Sequence, residues 1–323
     1  MAVRVAVLDD YQRVARDYAD WDSLPASVEF FHDHVADRDE LVRRLQPFEV
    51  IAAMRERTPF PREVLEALPN LKLLVTTGMR NASIDLAAAS ELGVTVSGTG
   101  GSGSADRSWQ PTAELTWGLI FAVTRNIPLE DRTLREGGWQ RTVGVEIGGR
   151  TLGLLGLGRL GTQVAAIGRA FGMPVIAWSQ NLTDEAAEAA GARRVDKEEL
   201  FASSDVLSIH TVLSRRTRGL VGAAELALMR PTAYLINTSR GPIVDEAALR
   251  EALHAGRIAG AGIDVFEREP LPADDPWRGV PRTVLTPHLG YVTEGTYRAF
   301  YADTVESIGA FLEGAPVRVL NAG

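Results

Sequence analysis

Thr151-Leu-Gly-Leu-Leu-Gly-Leu-Gly-Arg-Leu-Gly161 carries the spacing GxGxxG at Gly156, Gly158 and Gly161. The apolar residues Leu152, Leu154 and Leu155 ahead of the glycines read as a buried strand. Leu160, Val164, Ile167 and Phe171 then recur at helical spacing, and Val175-Ile-Ala-Trp178 reads as a second strand. A strand, a glycine turn, a helix and a strand are the context in which this spacing signifies dinucleotide binding. Gly156 permits a tight turn, Gly158 lets a pyrophosphate approach the backbone, and Gly161 lets helix and strand pack closely. The N–H groups of Arg159 and Leu160 at the helix start offer an anion site.

Downstream the rhythm continues. Val206-Ile209, Ala233-Ile236, Gly262-Val265 and Thr283-Thr286 read as strands, with helical patterns at Ala223-Met229 and Asp245-Ala255. Upstream, Val3-Leu8, Val28-Phe31, Val50-Ala53, Leu71-Thr76 and Val94-Ser97 read as strands. Helix candidates at Arg38-Leu45, Pro61-Ala67 and Asp85-Leu92 lie among them. Such alternation predicts parallel sheets covered by helices. The fold class expected is therefore α/β with two doubly wound domains, one of Rossmann type and one flavodoxin-like.

Between the halves, Gly98-Thr-Gly-Gly-Ser-Gly-Ser104 and the residues up to Pro111 are rich in Gly and Ser, which predicts a mobile crossing or lid. Pro111 suits the first turn of a helix through Leu115, Leu119 and Ala122, with Glu114 as a structural helix-start residue. A last helical pattern runs from Glu294 to Phe311. The expected division is residues 1–98 with 294–323 as a substrate domain, and 99–293 as the dinucleotide domain. Trp109, Trp117 and Trp139 read as core or interface packing.

Composition narrows the class further. The chain has 323 residues, enough for two domains, and no cysteine, so disulfides, thiolate metal sites and a cysteine nucleophile are excluded. The formal net charge is -8 with no basic block, which argues against a nucleic-acid partner. No apolar run approaches the length of a membrane span, and the N-terminal run is too short for a signal peptide. A cytosolic protein is the expectation.

In doubly wound folds ligands bind outside the carboxyl ends of the strands. His210, Asn237-Thr-Ser-Arg240-Gly241, Asp264 through Glu269 and His288 fall there in the second half, and loops around Arg55 and Gly78 in the first. An arginine, a carboxylate and a histidine converging on a nicotinamide would suit reduction of a carbonyl next to a carboxylate.

INTSRGPIVDEAAL (236–249), GAGIDVFEREPL (260–271), LTPHLGYVT (285–293), LGLLGLGRLG and MRERT together resemble the D-isomer-specific 2-hydroxyacid dehydrogenase family. The resemblance covers about residues 50 to 293. It implies that Arg240 binds the substrate carboxylate and carbonyl, that His288 is the general acid/base, and that Glu269 supports His288. A carboxylate beside a histidine stabilises the protonated ring. Asp264 resembles the residue that holds the nicotinamide carboxamide, and Thr238, Gly290 and Ser179 fall at cofactor-lining positions. His210 resembles a cofactor-contacting position, but could equally cap a strand end. On the substrate side the resemblance points to Arg55, Gly78, Met79 and Arg80. It also implies a homodimer.

Two departures bear on specificity. The dinucleotide motif expects Asp or Glu at the end of its second strand to hold the ribose. Here that position holds Ser179, which permits NADP without demanding it, so NAD and NADP both stay open. Relatives tend to show a second glycine two places after Gly78, where this chain has Arg80, a cation aimed either at the pocket or at solvent. The chain ends about 35 residues past His288. That leaves no room for the regulatory domain of some phosphoglycerate dehydrogenases and weakens, without removing, that reading.

The activity expected is interconversion of a 2-keto acid and its D-2-hydroxy acid, with the substrate in an interdomain cleft. The alternative is a phosphoglycerate or hydroxypyruvate/glyoxylate enzyme of the same family. Formate dehydrogenases fit less well, because they pair the histidine with Gln where this chain has Glu269. From a different class, nucleotide-sensing co-repressors of this fold also keep the residue trio.

Overall fold

A computed structural model describes residues 2–100 and 110–322. The chain divides into two compact units, Met1–Arg107 with Thr293–Gly323, and Ser108–Val292. The Gly/Ser stretch expected to form a crossing or lid, together with Trp109, falls largely at 101–109, outside the described residues.

The first unit holds five strands: β1 (Val3–Val7), β2 (Ala26–Phe30), β3 (Val50–Ala53), β4 (Leu73–Thr76) and β5 (Thr95–Ser97). All pair in parallel in the order β2-β1-β3-β4-β5, the flavodoxin-like winding, with its switch point between β1 and β3. β3 and β4 are buried throughout, as befits central strands covered on both faces. One core gathers Leu45, Phe48, Ile51, Phe60, Leu74 and Val96 among others. The helices start where the sequence provides caps: Asp37 accepts from the Glu40 amide and Asp85 from the Ala88 amide, each three residues on.

The second unit holds β6 (Leu152–Leu155), β7 (Val175–Trp178), β8 (Arg193–Arg194), β9 (Val206–Ile209), β10 (Tyr234–Asn237), β11 (Gly260–Ile263) and β12 (Thr283–Leu285). They pair in parallel in the order β12-β11-β10-β9-β6-β7-β8. That is the Rossmann order with one strand added beyond β11, so the switch point lies between β6 and β9. Two cores flank this sheet. One contains Phe201, Leu235, Leu253 and Trp277, the other Trp117, Ile120, Leu154 and Val164. Trp117 is thus core, whereas Trp139 is 73% exposed.

One strand is displaced from its expected position. β11 begins at Gly260, and Asp264 and Val265 lie beyond its end rather than within it. Gly260 and Gly262 are both buried by close packing. A Cβ at Gly260 would meet the Arg282 carbonyl oxygen at 2.7 Å, and one at Gly262 would meet Leu119 Cβ at 3.0 Å. The helix Pro111–Thr124 therefore lies against bare backbone here. Helices Ile127–Arg135, Asp184–Ala189 and Lys197–Ser203, and the two-residue β8, have no counterpart in the sequence reading.

Candidate active site

The glycine turn sits at the carboxyl end of β6. Gly156 has φ +103°, and a Cβ there would meet the His210 carbonyl and the Thr211 nitrogen at 2.8–2.9 Å. Only glycine satisfies both the left-handed backbone and that contact. A Cβ at Gly161 would strike the Gly156 carbonyl oxygen, so the third glycine closes helix onto strand. Around Gly158 a Cβ would meet nothing within 4 Å, and both Gly158 and Arg159 are exposed. Gly158 caps the helix Arg159–Ala170, whose first internal bond runs from the Thr162 amide to the Gly158 carbonyl at 2.9 Å. The Arg159 and Leu160 amides precede that bond and have no acceptor within the helix. Open space above a glycine, beside outward-facing amides at a helix start, fits the pyrophosphate of a dinucleotide. Ser179 is half-buried just past β7, and its carbonyl accepts from Leu182 at 3.1 Å.

His210 follows β9 directly. Its amide donates to the Leu155 carbonyl at 2.8 Å, and its Nε2 lies 2.8 Å from Ser208 Oγ. Burial pushes the ring down to about 4, so it is neutral across the physiological range. The histidine thus joins β9 to the glycine turn, since its backbone is what a side chain at Gly156 would strike.

His288, Glu269 and Asp264 form a polar constellation in the second unit. His288 Nδ1 lies 2.5 Å from Glu269 Oε2, and Glu269 Oε1 accepts the Phe266 amide at 2.8 Å. Both side chains keep partial solvent access, 21% for His288 and 30% for Glu269. With Nδ1 held by a carboxylate, Nε2 is the ring atom left to exchange a proton with a ligand. His288 has φ +53°, a left-handed conformation that costs a non-glycine residue ~1–3 kcal/mol and gathers at functional sites.

What holds that backbone is Asp264. Its carbonyl accepts the His288 amide at 2.8 Å. Its fully buried carboxylate accepts the Thr286 hydroxyl at 2.6 Å and the amides of Leu289 and Gly290 at 2.7 and 3.0 Å. Burial raises the Asp264 carboxyl, and those hydrogen bonds oppose the rise. Residue 264 is therefore the organiser of the histidine loop. From the opposite side, the Thr112 hydroxyl donates to the Gly290 carbonyl at 2.8 Å.

Arg240 stands at the end of the loop after β10, half-buried, with Nη1 donating to the Ser239 carbonyl at 2.8 Å. Asn237 braces this loop by donating to the Arg240 carbonyl at 3.2 Å and accepting the Ser239 amide at 3.1 Å. Thr238 is buried, 2.8 Å from the Thr116 hydroxyl. The neighbouring Gly241 is obligatory, since a Cβ there would run into the backbone of Phe266 and Glu267. That contact brings the Arg240 loop directly against the loop that carries Glu269.

The remaining candidates, Arg55, Gly78, Met79 and Arg80, cluster in the first unit past β3 and β4. Arg55 has φ +52°, and its amide and Nη1 donate to Thr77 Oγ1 and the Thr77 carbonyl at 2.8 and 3.2 Å. Gly78 has φ +93°, and its missing Cβ leaves the space that the Arg55 guanidinium fills. The Gly78 amide already donates to Thr99 Oγ1 at 2.7 Å. Met79 and Arg80 are exposed.

Sequence reasoning omitted several supporting residues. Thr286 lies inside a quoted motif but carried no assigned role. Thr112, Thr116 and Ser208 sit in unremarkable contexts, and Phe266 contributes only its amide. In the first unit Arg57, inside the quoted MRERT run but given no role of its own, donates to the Asp9 carbonyl at 2.6 Å and to the Tyr297 hydroxyl at 2.9 Å.

The profile described as "D-isomer specific 2-hydroxyacid dehydrogenase, NAD binding domain" matches residues 117–290. The chain is 35% identical to the D-3-phosphoglycerate dehydrogenase of Archaeoglobus fulgidus over 98% of its own length, yet spans only 58% of that relative. It is 39% identical to the glyoxylate reductase of Aeropyrum pernix, over 80% of this chain and 79% of that one. Among solved structures, a phosphoglycerate oxidoreductase from Vibrio cholerae superposes with a TM-score of 0.90 at 36% identity, covering 98% of this chain and 100% of the other. The chain belongs to the D-isomer-specific 2-hydroxyacid dehydrogenase family.

Proposed function

We propose that the chain is a cytoplasmic NAD(P)-dependent D-2-hydroxyacid dehydrogenase, active as a homodimer, that interconverts a small 2-keto acid and its D-2-hydroxy acid. The His288–Glu269 pair, held by a loop with a left-handed histidine, is the observation that carries this reading. In the reductive direction a keto carbon gains a hydride and its oxygen a proton. When bound, the nicotinamide supplies the hydride. His288 delivers the proton from Nε2 to the developing alkoxide, while Glu269 keeps Nδ1 occupied and the ring oriented. General acid/base assistance of this kind contributes ~10²–10⁴ in rate. Arg240 presents the planar fork that matches a carboxylate, and it also polarises the carbonyl. Gly156, Gly158, Arg159, Leu160 and Gly161 hold the pyrophosphate, and Ser179, His210, Thr238 and Gly290 line the rest of the dinucleotide. Asp264 serves by fixing the loop of His288.

Arg55, Met79 and Arg80 are the residues we assign to substrate selection. Because the Gly78 amide is occupied by Thr99, the Met79 and Arg80 amides and the two arginines carry that role.

The test is a panel of 2-keto acids that includes glyoxylate, hydroxypyruvate, pyruvate and phosphohydroxypyruvate. Each is run with NADH and with NADPH while oxidation of the cofactor is followed. Turnover with at least one unphosphorylated acid is expected, and the ratio of kcat/KM values assigns the cofactor. No turnover across the panel with either cofactor would overturn the reading.

A further inference from the structure

The start of helix Pro111–Thr124 touches three separate parts of the second unit's site. Just ahead of the helix, the Gln110 amide donates to Gln163 Oε1 at 2.8 Å, and Gln163 lies on the helix that begins at the glycine turn. At the second helical residue, the Thr112 hydroxyl donates to the Gly290 carbonyl in the His288 loop at 2.8 Å. One turn on, Thr116 Oγ1 lies 2.8 Å from the hydroxyl of Thr238, two residues before Arg240. Thr112 and Thr116 stand four apart, so both hydroxyls leave the same face of the helix.

The direction of these bonds follows from counting protons. A threonine hydroxyl has one proton and two acceptor positions. Thr116 commits its proton to the Thr112 carbonyl at 2.8 Å. Between Thr116 and Thr238, Thr238 is therefore the donor. Bonds that share a hydroxyl in this way polarise and strengthen one another. Neither threonine is there for the sake of the helix. Threonine loses side-chain freedom in a helix, and bonding back to the carbonyl four residues earlier tends to bend it. Thr116 is also fully buried in a helix whose Ala113, Trp117, Leu119 and Ile120 are buried too, where an apolar side chain would need no partner.

Both loops carry the position of their anchors on to the reacting groups. Asn237 ties the residues after Thr238 into one turn, through the Ser239 amide and the Arg240 carbonyl. Gly290 is held on both sides, its amide by Asp264 at 3.0 Å and its carbonyl by Thr112. A Cβ at Gly290 would meet Thr112 Cγ2 and Oγ1 at 3.1 Å, so no slack separates helix from loop.

We infer that Thr112 and Thr116 are positioning residues that fix the His288 loop and the Arg240 loop against one helix, and so set the spacing of imidazole and guanidinium. Their service to the reaction rests on the roles proposed above for His288 and Arg240; the anchoring does not. The labour divides: Thr112 holds the loop that moves a proton, and Thr116 holds the loop that binds the carboxylate. Displacements of about 1 Å by changes away from the chemistry can cost ~10²-fold in rate, which is the scale on which such anchors act.

Hydrogen–deuterium exchange of the cofactor-free full chain and steady-state kinetics with a keto acid test this together. Thr112→Val and Thr116→Val keep the branched shape and remove the hydroxyl. Thr112→Val should speed exchange in the segment 286–292 about tenfold and leave 237–241 within about twofold of wild type. Thr116→Val should do the converse, because the Thr238 hydroxyl loses its acceptor. In kinetics, Thr112→Val should lower kcat about tenfold with KM nearly kept, and Thr116→Val should raise KM about tenfold with kcat nearly kept. Thr116→Ser retains the hydroxyl and should bring both readouts back to within about twofold of wild type. Thr124→Val removes a hydroxyl of the same kind, bonded to the Ile120 carbonyl at 2.7 Å two turns further along the helix, and should move neither readout. Valine variants that loosen both loops equally or neither, a serine variant that behaves like valine, or a Thr124 variant that reproduces the effects would overturn the inference. Loop-specific exchange in a chain that turns over no keto acid would keep the anchoring and overturn the catalytic reading alone.

Discussion

Glu269 divides its two carboxylate oxygens between His288 Nδ1, at 2.5 Å, and the Phe266 amide, at 2.8 Å. The carboxylate is thus itself oriented by backbone before it orients the imidazole. The amide sits at the end of the segment that carries Asp264, and Asp264 fixes the backbone of His288. One loop therefore holds the histidine through its main chain and its ring at once.

His288→Ala removes the proton donor and leaves the glycine turn untouched. We expect kcat to fall by ~10²–10⁴, with NADH or NADPH affinity within about twofold of wild type. Steady-state kinetics with a fluorescence titration of the reduced cofactor measures both. Unchanged turnover would rule out the assigned role.

Glu269→Gln keeps the size and one acceptor oxygen but removes the charge. The amide cannot hold both partners as acceptor through two oxygens, so either the Phe266 contact or the ring orientation is lost. A fall in kcat of about tenfold to a hundredfold is expected, with little change in cofactor affinity. A loss confined to cofactor affinity would contradict the pairing.

Arg240→Lys preserves charge and discards the planar fork. The KM for the keto acid should rise at least tenfold, because a point charge cannot make two parallel contacts to a carboxylate. Equal kinetics in the lysine variant would argue that Arg240 serves only its own loop.

Gly156→Ala forces a Cβ into the His210 backbone at φ +103°. We expect a loss of at least ~1 kcal/mol in stability together with loss of cofactor binding. Gly158→Ala, where a Cβ meets nothing, should leave stability within ~1 kcal/mol of wild type while weakening the cofactor. Thermal melts with and without cofactor separate the two, and similar melting for both variants would show that the turn is not tightly packed.

His210 supplies a pH dependence of stability. Its pKa is depressed from 6.5 to about 4 in the fold by burial. Above the unfolded value both states are neutral, and the full stability is present. As pH falls from about 6.5 towards about 4, the unfolded chain takes up a proton that the folded ring refuses, and stability is lost. The loss is on the order of 3 kcal/mol at most, and the remaining solvent access of the ring reduces it. His210→Gln, which can still reach Ser208, should flatten Tm against pH across that window. Parallel wild-type and variant curves would show that another group sets the acid limit.

The sequence by itself determined the α/β class, the GxGxxG turn, and, apart from the two-residue β8, the strands of both sheets to within a few residues. These features are local: a two- or 3.6-residue period and a glycine at a left-handed turn are properties of neighbouring residues. Motif order then named Arg240, Glu269 and His288. Only the tertiary structure decided what supports them. Asp264 meets Thr286, Leu289 and Gly290 across more than 20 residues, and Thr112 meets Gly290 across 178. No period in the chain encodes such contacts, because they exist only once the strands are side by side. Gly260 and Gly262 show the same dependence: packed against Val123 and Leu119, they are what lets a helix touch the sheet. The exposed Trp139 likewise reads in sequence as core or interface packing, and its position outside the core is a property of the fold alone.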